Sequence, residues 1–80
     1  MKRFYEAERW RLRSPASTTR TGEGAHKFDA TNDAEAIEAA KHLHAPFYDP
    51  AIDQIVIWEI RIGEDKRLVL TIEGPIAPRT

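Results

Sequence analysis

Hydrophobic and polar positions alternate along four stretches of this chain and recur at helical spacing along a fifth. In residues 4–13 the alternation is cleanest near the end. Trp10 and Leu12 fall on one side of a period-two pattern, and Arg9, Arg11 and Arg13 fall on the other. The beginning, Phe4 to Glu8, is less regular, so a strand there calls for a bulge and a short helix is the alternative. Residues 25–30, AHKFDA, give a second strand with His26, Phe28 and Ala30 on one face. Residues 53–62 contain QIVIWEIRI, a third strand enriched in β-branched residues. A GEDK turn joins it to a fourth, RLVLTIE, at 67–73. The stretch TNDAEAIEAAKHLHA predicts a helix over 33–44. Asn32 is its N-cap and Glu35, three residues on, completes a capping-box pattern. Asp33 and Glu35 suit the positive end of the helix dipole, and Lys41, His42 and His44 the negative end. Ala36, Ile37, Ala40 and Leu43 form its apolar stripe, Pro46 ends it, and Phe47 is expected to tuck under that end. SPASTTRTGEG, 14–24, has the composition of a loop, and the proline-containing residues 74–80 that of a tail.

The order ββαββ predicts an α+β fold in a single domain, 1–80: a two-layer sandwich of a four-stranded antiparallel sheet with one helix packed on one face. One helix covers only one side. The bulkier sets are assigned to that side: Trp10 and Leu12, then Val56, Trp58, Ile60 and Ile62, then Leu68, Leu70 and Ile72. Ile55, Ile57 and Val69 are left on the outer face beside Glu59, Arg61, Arg67 and Glu73. An apolar centre with a charged border is the layout of an interface. Ile55, Ile57, Arg61 and Val69 are therefore candidate partner-binding residues, and the same face offers a weak homodimer contact to a chain otherwise expected to be monomeric.

Charge changes this picture because it is unevenly spread. Residues 1–27 carry seven bases against three acids, whereas residues 28–65 carry nine acids against two bases. Alternate strand residues stand about 6.6–6.8 Å apart on one face. Arg9, Arg11 and Arg13, helped by Arg20 and Lys27, thus form a candidate ladder for nucleic-acid phosphates. A net charge of −1 argues against that use and for carboxylate partners. The acidic segment offers a belt of Glu35, Glu38, Asp49 and Asp53 that can imitate phosphates and occupy a basic groove of a partner protein.

Chemistry is sparse. With no cysteine there is no disulfide and no thiolate metal site. His42 and His44 lie two apart, which on a helix turns them away from one another and makes poor chelators. No phosphate-binding glycine loop, dinucleotide turn or placed nucleophile is present, so neither cofactor, metal nor catalysis is expected. The charged N-terminus lacks the apolar run of a signal peptide, and aliphatic runs such as IVI are far too short to cross a membrane. A cytoplasmic location is the expectation.

The phrase HKFDATNDAEAIEAAKHL, about a quarter of the chain, resembles a pattern of small phage and prophage proteins: a strand ending in an aromatic and a small residue, then a capped helix with an EAI core. With the short length, the absent cysteines and the ββαββ order, the chain looks like a phage-type inhibitor of the anti-CRISPR kind. That resemblance implies a non-catalytic, protein-binding activity: occupation of a type I Cascade subunit in the host cytoplasm, which blocks docking of target DNA. The alternative is a small nucleic-acid-binding module that uses the arginine ladder.

Overall fold

A computed structural model describes residues 2–76. Its elements are β1 (Arg3–Leu12), β2 (Arg20–Ala30), α1 (Asp33–His44), a 3-10 turn (Ala45–Phe47), β3 (Asp53–Ile60) and β4 (Arg67–Glu73). The strands form one antiparallel sheet in the order β2-β1-β3-β4, with α1 against one face, as the pattern of the sequence predicts. The last four residues of the expected tail, 77–80, lie outside the described residues, and Ile76 just before them packs against the core.

Asn32 caps α1: its side chain accepts from the Glu35 N–H at 2.9 Å. The reciprocal half of the box goes one residue further back, where Glu35 accepts from the Thr31 hydroxyl at 2.7 Å and from its N–H at 3.4 Å. The first strand is extended throughout, and the irregularity expected in it lies instead in its partner. Arg9 pairs with Gly24 and Trp10 with Gly22, so Glu23 is a bulge in β2. The glycines taken for loop punctuation therefore belong to a strand that begins at Arg20. Gly22 lies beneath Trp10, where a Cβ would stand at ordinary contact distance, 3.5 Å, from the indole.

In β1 and β3 the side that α1 covers is the reverse of the expected one, whereas Phe28 and Ala30 of β2 and Ile72 of β4 meet the core as expected. The core is Tyr5, Ala7, Ala30, Ala36, Ala40, Ile55 and Ile57, all essentially inaccessible. Ile55 and Ile57 are thus the centre of the covered face and not an outer surface. Val69 also packs against this core, because a register shift between Ile57 and Trp58 inserts an extra residue in β4 and turns its pattern over. Trp10, Val56, Trp58 and Ile60 belong to the opposite face. The physical reason lies in the partners. An alanine-lined helix approaches the sheet closely and leaves room for isoleucine. Two indoles there would also need buried acceptors for their N–H groups. The charged residues that share this face with the isoleucines are matched on the covered side: Asp53 by Arg9 and Arg11, and Glu59 by Arg67. Leu43, expected in the helix stripe, is partly exposed, and His44 turns inward in its place. Phe47 is exposed and does not tuck under the helix.

Candidate functional site

The face that α1 leaves uncovered is built from β1 outward. Glu8 stands between two tryptophans: its Oε1 accepts the Trp58 indole N–H at 2.7 Å and the Trp10 indole N–H at 3.4 Å. Arg20 lies 4.5 Å over the Trp10 ring and Lys66 4.5 Å over the Trp58 ring, both cation–π distances. Arg20 also donates to Gln54 at 2.9 Å, and Lys66 pairs with Glu6 at 3.7 Å. Val56, paired across the sheet with Glu8 and flanked by Trp58, is only 5 % exposed although no second layer lies above it. The middle of this face therefore carries its own cover, in which flat indoles are joined by one carboxylate and topped by two cations.

That cover stops at one end. Phe4, Leu68 and Ile62 are 58 %, 51 % and 98 % exposed, and Ile60, across from Phe4, is partly open. Phe4 and Ile60 also line an open cleft of about 410 Å³, together with Tyr5, Lys27, Phe28 and Asp29. Lys27, Asp29 and Lys66 give the apolar patch a border of mixed charge. A patch of large side chains next to an apolar cleft with a polar rim is the layout of a docking surface.

The covered face holds its charges in two closed clusters. Asp53, fully buried in its side chain, accepts from Arg11 Nε at 2.8 Å, Arg9 Nη1 at 3.0 Å and the Asp49 N–H at 2.9 Å. Burial pushes its carboxyl up, but the donors from Arg11, the Asp49 backbone and Arg9 together outweigh this and bring it down to about 2. At the other end Arg67 donates to both oxygens of Asp33 at 2.9 Å and to Glu59 at 2.8 Å, while the Tyr5 hydroxyl donates to Asp33 at 2.9 Å. The Asp33 carboxyl is held low first by Arg67 and then by Tyr5. Among the described residues every buried side-chain nitrogen and oxygen has a partner.

These clusters redistribute the residues expected to bind. Of the acidic belt, Asp53 is interior, Glu35 is spent on the helix cap, Glu38 pairs with Lys41 at 3.6 Å, and Asp49 caps the Ala51 N–H at 2.9 Å. They do not form one surface. The arginine ladder is also divided. Arg9 and Arg11 converge on Asp53 beneath the sheet, whereas Arg20 and Lys27 pair in register with Leu12 and Glu6 on the open face. Arg13 is exposed beyond the end of β1. Of the outer-face set only Arg61 is at the surface, bound to Glu59 at 3.3 Å and Glu64 at 3.9 Å. Among the described residues no group of three or more metal-ligating side chains is placed to hold an ion. This apolar patch of Phe4, Ile60, Ile62 and Leu68 escapes the sequence reading because that reading assigns Ile60, Ile62 and Leu68 to the core. Its signal was the match of Asp53 and Glu59 to arginines on the neighbouring strands, which fixes the parity of β3.

No family model, characterised protein or solved structure matches this chain.

Proposed function

We propose that this protein is a non-catalytic inhibitor that works by docking the apolar end of its open sheet face onto a partner protein. The observation that carries this reading is the exposure of Phe4, which lines a cleft with Ile60, together with that of Ile62 and Leu68 on the neighbouring strands' side. Two tryptophans on the same face, by contrast, are shielded by the chain's own cations. Covering each of those exposed side chains is worth about 1.5–3 kcal/mol in the limit of full burial, enough for three anchors to dominate a small interface. The division of the arginines weakens a phosphate-binding role, because Arg9 and Arg11 already share a buried carboxylate. For the partner class, support comes from the resemblance of HKFDATNDAEAIEAAKHL to small phage inhibitors, which makes a type I Cascade complex the partner to test.

The experiment is a binding assay on immobilised, purified type I Cascade, followed by capture of double-stranded target DNA. The expected result is saturable binding and lost DNA capture. The double variant Phe4→Asp, Leu68→Asp should bind about a hundredfold more weakly at unchanged thermal stability, since neither side chain is in the core. No binding by the unaltered protein overturns the Cascade assignment. Full binding by the double variant overturns the choice of surface.

A further inference from the structure

A cleft of about 240 Å³ lies on the helix side between the end of α1 and the β1–β2 pair. Arg9, Glu23, Gly24, His26, His44 and Phe47 line it. His44 is the last residue of α1 and is 2 % exposed. Its Nε2 sits 3.0 Å from the carbonyl oxygen of Ala7. A carbonyl only accepts, so Nε2 carries the hydrogen and a neutral ring keeps its lone pair on Nδ1. The His26 ring, on the strand residue paired with Ala7, lies 5.1 Å away.

His44 is the side chain that seats this end of the helix. Leu43 and Phe47, the large apolar residues on either side of it, are 38 % and 66 % exposed and contribute little anchorage. The next inward residue toward the N-terminus is Ala40, a single methyl group. The segment is bounded by firm attachments. Upstream, Asp33 is held by Arg67 and Tyr5, and downstream the Tyr48 hydroxyl donates to the Gly74 carbonyl at 2.6 Å. Residues 41–47 thus span two fixed points and are pinned between them by an imidazole.

We propose that His44 is an acid-sensitive latch, which holds the C-terminal turn of α1 on the sheet while its ring is uncharged and releases residues 41–47 when it takes a proton. A second N–H on the seated ring would have to be accommodated in a buried site with cations nearby. β1 presents Arg9, β2 presents His26 and, at its bulge, Glu23, and α1 adds Lys41, already paired with Glu38. The 3-10 turn brings no titratable group, and the Asp53 carboxylate of β3 is taken up by Arg9 and Arg11. Glu23, the carboxylate among the residues that line this cleft, stands on an exposed edge strand where solvent screens it. The negative end of the helix dipole and the hydrogen bond to the Ala7 carbonyl favour a cation here, but burial, the first cause, lowers the ring's proton affinity, and with His26 and Arg9 adding to it the lowering prevails. The sign follows: the latch is fully set above the ordinary histidine value of about 6.5 and weakens as pH falls below it, because the released ring binds the proton more readily than the seated one.

Amide hydrogen exchange, corrected for intrinsic rates, reads this directly. Between about pH 7.5 and pH 5 the protection of residues 41–45 should fall about tenfold or more relative to Ala36 and Ile37 of the same helix. In His44→Leu the difference should vanish. Should that variant fail to fold, the ring signals of His44 in the unaltered protein supply the second readout, since lost protection must track the protonation of that ring. An equal fall in His44→Leu, or a His44 that protonates while 41–45 stay protected, overturns the latch.

Discussion

Replacing Asp53 with alanine is expected to destabilise the protein by about 3 kcal/mol, because it strands two guanidinium groups and an N–H around a buried vacancy. Arg9 has little access to water through which to compensate, whereas the more exposed Arg11 recovers part of its loss, so the low end of the range for a broken buried pair applies. For a domain this small such a change lowers the melting temperature by about 15 °C. The pH dependence has a definite sign. The carboxyl titrates lower in the folded state than in the unfolded one, so its contribution is present above the ordinary aspartate value of about 4 and is lost as pH falls toward about 2. Thermal or urea unfolding of both proteins should therefore show a constant gap at neutral pH that closes below about pH 4. A gap that does not depend on pH would mean that the aspartate acts by shape and not by charge.

Ile57→Ala is expected to cost about 3 kcal/mol, the size usual for a large-to-small change in a core that cannot collapse around the space. The core makes this severe. Four of its seven members are alanines, and Tyr5, Ile55 and Ile57 are its largest fully buried side chains. An ordinary stability of about 0.05–0.15 kcal/mol per residue leaves a chain of 80 residues with little reserve. Leu68→Ala, a change of similar volume on the open face, should cost well under about 1 kcal/mol because Leu68 is half exposed. Urea unfolding of the pair measures the contrast, and comparable losses at the two positions would show that the faces have been misassigned.

The architecture was legible in the sequence because each element carried its own period and punctuation. Asn32 and Glu35 marked the start of the helix, and the β-branched run of 53–60 with its partner at 67–73 marked a hairpin. The facing of the sheet was not legible from hydrophobicity. In β3 both parities are apolar, Ile55 and Ile57 against Val56, Trp58 and Ile60, so burial by size chose the indoles and chose wrongly. Charge matching would have decided it, since Asp53 and Glu59 sit on the parity whose cross-strand neighbours are arginines. The bulge near Val69 then defeated simple alternation in β4, because one extra residue turns every later side chain to the other face, whereas the face of His26, Phe28 and Ala30 in β2, which lies past the bulge at Glu23, is as the alternation predicts. The arginine ladder is divided for a related reason: part of the charge asymmetry along the chain is cancelled by pairing within the fold, Arg9 and Arg11 with Asp53 and Arg67 with Asp33 and Glu59.

The account rests on which side of β3 meets the helix, and nuclear Overhauser contacts between methyl groups measure that most directly. The expected spectrum connects the methyls of Ile55 and Ile57 to those of Ala36 and Ala40, and places the Val56 methyls near the Trp58 indole with no contact to α1. Cross-peaks from Val56 or Trp58 to Ala36 or Ala40, with Ile57 free of the helix, would contradict it and remove the basis of the docking proposal with it.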